Sequence, residues 1–156
     1  MLSDGQGDEQ ARTSALRFLA VGDEPPWNEI EREGIRIEQT PLPGSMPPRE
    51  LQLATESGAE LGNPVRIRLN QVSGVLPVRP GRVDLHEVTE TGLSPDPWHS
   101  LQFPKKSAGL GLLLRDPGKK KWTKGRSLLL PDDLTSFPAG RVRIVNISSY
   151  SVLLEY

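Results

Sequence analysis

VRIRLNQVSGVLPVRPGRVDLHEV, residues 65–88, is the stretch from which the fold is read. Val65, Ile67 and Leu69 fall on one face and Arg66, Arg68 and Asn70 on the other, the period-2 signature of a half-buried strand. After a very short break, 72–78 reads as a second strand, with Gly74 as a bulge or bend because glycine inside a strand marks such positions. Arg79-Pro80-Gly81-Arg82 is a turn, since proline fixes φ and glycine tolerates angles other residues avoid. Residues 83–88 then form a further strand.

Working outward, the same pattern recurs at short intervals. Towards the N-terminus, 51–53, 35–38 and 16–21 read as strands, while 27–34 is charged and fits one helical turn. Four prolines within 41–48 make a rigid, extended loop. Towards the C-terminus, 98–103 alternates, and 110–114 is nearly all apolar, as expected for a strand covered on both faces. Trp122 with 127–130 forms the next strand, and 141–147 and 151–156 read as a hairpin around Ser148-Ser149-Tyr150. About nine or ten short strands joined by Gly/Pro turns predict an all-β chain without a long helix. The expected arrangement is a two-sheet antiparallel β-sandwich, Ig-like or jelly-roll-like.

Composition agrees. The chain of 156 residues has the size of one domain and no mid-chain linker, so 15–156 is read as a single domain behind a flexible segment 1–14. Fifteen prolines are hard to place in long helices, where each interior proline costs about 3 kcal/mol. There is no cysteine, which rules out disulfides, thiolate metal ligands and cysteine nucleophiles. No apolar run approaches the roughly 20 residues of a membrane span, and the polar, acidic start of the chain is no secretory signal. Charge is uneven. Residues 1–60 carry 12 acids against 5 arginines, and 61–156 carry 14 basic residues against 8 acids. The expectation is that the halves neutralise each other.

The catalytic inventory is thin. His86 lies two residues from Asp84, so a strand puts both on one face as the best acid–base candidates should the protein be an enzyme. His99 follows Trp98 at a strand start and reads as a surface residue. The two histidines lack zinc-site spacing. Gly109-Leu110-Gly111 is not a dinucleotide loop, because a strand rather than a helix follows, and Lys106-Ser107-Ala108-Gly109 is not a nucleophile elbow. Asp132-Asp133 and Asp23-Glu24 lie in turn sequences, where aspartate caps the backbone. The chain is therefore expected not to be an enzyme and to need no cofactor or metal.

Binding signals are stronger. Between Lys105 and Arg126 stand eight basic residues against one acid, with Trp122 inside the cluster and Trp98 just before it. Trp98 and Trp122, with Lys119, Lys120, Lys121 and Lys124, make a candidate ligand site. Exposed indoles would stack on sugars, with Trp27 in support, and the lysines would hold a polyanion. The competing reading is that the lysines solvate a hairpin tip. A net charge of −1 and the lack of a nucleic-acid-binding motif speak against nucleic acid.

The segment Ser136-Phe137-Pro138-Ala139-Gly140-Arg141-Val142-Arg143-Ile144-Val145-Asn146 resembles part of uncharacterised exported bacterial β-sandwich proteins, in which a Phe-Pro-x-Gly turn leads into a strand bearing an Arg-x-x-Asn pattern. The resemblance implies a non-catalytic extracytoplasmic module, in the periplasm or at the cell surface, with a structural or binding role and a glycan or another envelope protein as partner. It transfers no functional residues.

Overall fold

Alternating apolar and polar residues give each strand one side to bury, and two sheets of such strands satisfy one another face to face. The computed structural model describes residues 13–25, 29–38, 41–105, 108–116, 118 and 121–155. Eleven strands occur among them: β1 (Ser14–Val21), β2 (Glu29–Arg32), β3 (Ile35–Glu38), β4 (Glu50–Thr55), β5 (Glu60–Arg66), β6 (Leu76–Val78), β7 (Gly81–Thr89), β8 (Gly92–Leu93), β9 (His99–Phe103), β10 (Ala108–Arg115) and β11 (Gly125–Pro131). No described residue is helical. Ser14, expected as the end of a flexible segment 1–14, belongs to β1 and is buried, and residues 1–12 lie outside the described residues.

One sheet runs β11-β10-β1-β6; the other runs β5-β4-β7, with β8 and β9 both pairing to the far side of β7. The sandwich is therefore all-β but not wholly antiparallel as expected. β1 and β10 pair in parallel from Ala15↔Ala108 to Val21↔Leu114, which joins the two ends of the chain in the middle of one sheet. Residues 69–73 carry the chain from one sheet to the other. Asn70 takes a positive φ of 56° there, and its amide bonds both backbone groups of Gly22, fixing the end of β1. Gly74 breaks the ladder along β1 between an isolated bridge at Val72 and β6, as its position predicts.

The core cluster draws Leu16, Phe18 and Ala20 from β1, Leu51 and Leu53 from β4, and Val83 and Leu85 from β7, with Val65, Ile67 and Leu69 behind them. β10 explains its own glycines. A Cβ on Gly111 would lie 2.8 Å from the Phe18 ring, and one on Gly109 would lie 2.9 Å from Phe103. Gly-Leu-Gly is thus a pair of seats for two core phenylalanines.

Two further expectations are corrected. Residues 29–34, expected within a helical turn over 27–34, instead form β2 and a tight turn into the expected strand at 35–38, because Glu33 and Gly34 both take positive φ and Ile30 pairs with Ile37. The expected hairpin 141–147/151–156 keeps only its turn. Asn146 Oδ1 accepts from Ser148, and its amide donates to the Tyr150 carbonyl at 2.5 Å, but the described arms carry no ladder. A two-stranded hairpin without a surface to pack on is marginal in water, and Val142, Ile144, Val152 and Leu153 are all exposed.

Candidate functional site

Trp98 precedes β9 and Trp122 precedes β11, and the sandwich closes between those two strands. This places both indoles inside. Trp98 is 8% exposed and Trp122 3%, their rings stack 6.5 Å apart at 23°, and the Trp98 Nε1–H donates to the Trp122 carbonyl at 2.6 Å. The expected stacking platform for sugars is absent at these residues. Apolar rings with one polar atom go inside most readily when that atom finds a partner, as the Trp98 ring N–H does, and the backbone N–H groups of Trp98 and Trp122 donate to the Leu85 and Gly44 carbonyls. Gly125 makes room for the pair, with Trp98 ring atoms 2.8 and 2.9 Å from where its Cβ would stand. Of the lysines, Lys121 and Lys124 are exposed. Lys119, Lys120 and Trp27 lie outside the described residues.

The histidines hold structure together. His86 Nδ1 bonds the Ser94 carbonyl at 2.9 Å, across the turn between β7 and β9. Its sequence partner Asp84 is engaged elsewhere: Ser100 Oγ donates to it at 2.5 Å and Arg82 Nε at 2.8 Å. Burial pushes the Asp84 carboxyl upward, yet these hydrogen bonds and the Arg82 charge more than offset it and hold it below the ordinary carboxylate value. A carboxylate so occupied is poorly placed to serve His86 as a catalytic partner.

His99 was not expected to meet Ser127, and sequence offers no signal for it. Nε2 lies 2.7 Å from Ser127 Oγ, linking β9 to β11. Burial lowers the His99 pKa, partly opposed by a hydrogen bond with the Gly125 backbone, so the ring is neutral near pH 7. A serine beside a histidine resembles a nucleophile–base pair. One open cavity of about 500 Å³ among the described residues, lined by Glu56, Leu61, Arg79 and Arg82 among others, includes neither residue.

The turn acids also have local work. Asp132 Oδ2 takes the Arg17 guanidinium at 2.6 and 2.8 Å. Asp133 caps the backbone of Thr135 and Ser136. No group of three or more metal-ligating side chains occurs among the described residues.

The feature that local composition hid lies on the outside of the first sheet. Leu16, Phe18 and Ala20 point inward, so the parallel register with β10 turns Leu110, Leu112 and Leu114 outward beside Leu19, and the β10–β11 register adds Leu128 and Leu130. Leu112, flanked in register by Leu19 and Leu128, is buried yet stands outside the core cluster. Leu128 is 39% exposed, and the others apart from Leu112 are half-buried. The apolar run 110–114 is therefore covered by core on one face only. Arg126, outward in the same register, borders this leucine face and is exposed.

Comparison with known proteins finds no matching family model, no matching curated protein and no matching solved structure.

Proposed function

We propose that this chain is a non-catalytic β-sandwich module that works by binding another protein surface through the leucine face of β1, β10 and β11. The carrying observation is the face itself: six leucines on the outside of one sheet, where a solvated sheet would alternate apolar inside with polar outside. Contiguous apolar surface of this kind marks interaction sites in folded proteins. The carbohydrate reading has lost Trp98 and Trp122 to the interior, and in the acid–base reading Asp84 is taken by Arg82 and Ser100. Placement outside the cytoplasm, in the envelope of a bacterium, rests on the resemblance of residues 136–146; fractionation of the source cells checks it.

Hydroxyl-radical footprinting tests the docking role directly. Leu128 and Leu130 are labelled in the dilute purified chain, and the reading expects both to be protected in extracts of the source cells. Equal labelling in the two states would end it.

A further inference from the structure

Resting on that reading, we propose that the occupant of the leucine face is the β2–β3 hairpin of a second copy of this chain, exchanged reciprocally in a two-fold dimer. The hairpin is amphipathic by register. Ile30 and Ile37 pair directly, and Ile35, opposite Arg32, lies on the same side. These isoleucines are 39%, 47% and 65% exposed, and the two hairpin strands make their main contacts with each other. The described residues thus present two apolar surfaces, the exposed isoleucines of the hairpin and the mostly half-buried leucines of the sheet face, and the hairpin strands make no extensive contact with β1, β10 or β11.

Charge selects the pairing. Residues 23–38 carry six acids against two arginines, whereas 105–126 carries eight basic residues against one acid. Of these basic residues, Arg115, Lys121, Lys124 and Arg126 lie in or beside the connection between β10 and β11, at the end of the leucine face where Leu114 meets Arg126, and Arg115 is paired with Asp23 of the same copy at 3.9 Å. Arg126 forms no ion pair among the described residues, and neither do Glu31 and Glu38 of the hairpin. An acidic arm meeting a basic-ended face is attracted and oriented by the opposite potentials. Two leucine faces meeting each other would instead bring like charges together, and so would two hairpins. Reciprocal exchange uses both surfaces of both copies and closes the assembly.

Sedimentation velocity over a broad dilution series tests this with the full chain. The wild type is expected to dimerise reversibly and less tightly as salt rises. Ile35→Glu on the hairpin and Leu128→Glu on the face each weaken association roughly 30-fold or more. The decisive sample is a mixture of the two variants, which retains one intact hairpin–face junction and is expected to form a heterodimer that neither variant forms alone. Arg126→Glu leaves every apolar side chain in place and guards against misfolding of the other two. It should weaken the dimer about tenfold at low salt and much less at high salt.

A wild type that stays monomeric at every concentration, as when the hairpin folds back on its own face, overturns the inference. So does a dimer that survives Ile35→Glu, or a mixture that yields no heterodimer. Monomeric wild type together with Leu128 protected in cell extract would sink the second copy as occupant and leave the docking role standing.

Discussion

Gly125→Ala tests the closure of the sandwich, because one methyl group there meets the tryptophan pair. Gly125 opens β11 without a positive φ, so alanine brings no backbone strain, only volume. Its Cβ would stand well inside contact distance of the Trp98 ring, with Cζ3 at 2.8 Å and Cζ2 at 2.9 Å. Trp98 has little freedom to retreat, being stacked on Trp122 and bonded through Nε1 to the Trp122 carbonyl. Overpacking of this kind costs about 1–3 kcal/mol, and a ring displaced far enough to lose its hydrogen bond forfeits about 1 kcal/mol more. The expected loss is therefore roughly 3 kcal/mol in urea unfolding followed by tryptophan fluorescence. A change in the near-ultraviolet circular dichroism should accompany it as the stack is disturbed. Gly74→Ala is the control, since nothing lies within 4 Å of its Cβ and its φ is ordinary; it should be neutral or slightly stabilising. A Gly125→Ala protein within about 0.5 kcal/mol of wild type, its dichroism unchanged, would refute the packing argument.

Other outcomes follow from the same geometry. Gly111→Ala drives a methyl into Phe18 and should cost about 1–3 kcal/mol, read from the urea midpoint; an unchanged midpoint would mean that the ring has room to turn. His99 binds a proton less readily folded than unfolded. Its contribution to stability is intact above the ordinary value of 6.5 and falls as pH drops below it, so the urea midpoint should decline there and His99→Gln should flatten the decline. Asp84, held below its ordinary value of 3.8, adds a second acid loss only beneath that value, which Asp84→Asn should remove. A midpoint constant from pH 8 to 5 would contradict the His99 assignment. Iodide should leave the emission of Trp98 and Trp122 largely unquenched, as single-tryptophan variants can show.

The strands were legible where one side chain face carries the signal. The alternation in 65–70 survives as alternating burial although β5 ends at Arg66, the expected turn at 79–82 is shortened to Arg79-Pro80 because Gly81 already opens β7, and Gly74 interrupts its ladder as expected. Partnering was not legible. Nothing in the strand sequences of 14–21 and 108–115 says that they pair in parallel, yet that pairing alone decides that the odd leucine positions of β1 and the even ones of β10 share the outside. The same gap misplaced the tryptophans. A tryptophan beside lysines reads as a binding platform, but which way it points depends on where β9 and β11 meet, a contact between strands distant in sequence. Gly109 and Gly111 lie within β10, while the phenylalanines that require them are scattered at 18 and 103.

The C-terminal segment separates strand-like sequence from strand. Arg143 ties its beginning to the body: Nη1–H donates to the Pro131 carbonyl at 2.7 Å, and the guanidinium lies 4.3 Å from the Phe137 ring centre. Beyond it, the side-chain hydrogen bonds of 144–155 run among Asn146, Ser148 and Tyr150, all within the segment. Alternation supplies a face to bury but no surface to bury it against, and stability comes from the burial. A chain ending at Val145 should therefore unfold within about 0.5 kcal/mol of the full chain, whereas Arg143→Ala in the full chain, which removes a charged hydrogen bond and a cation–π contact, should cost about 1–2 kcal/mol. If truncation instead cost more than about 2 kcal/mol, the segment would have to pack on the sandwich, and the leucine face beside β11 would be the first place to look for it.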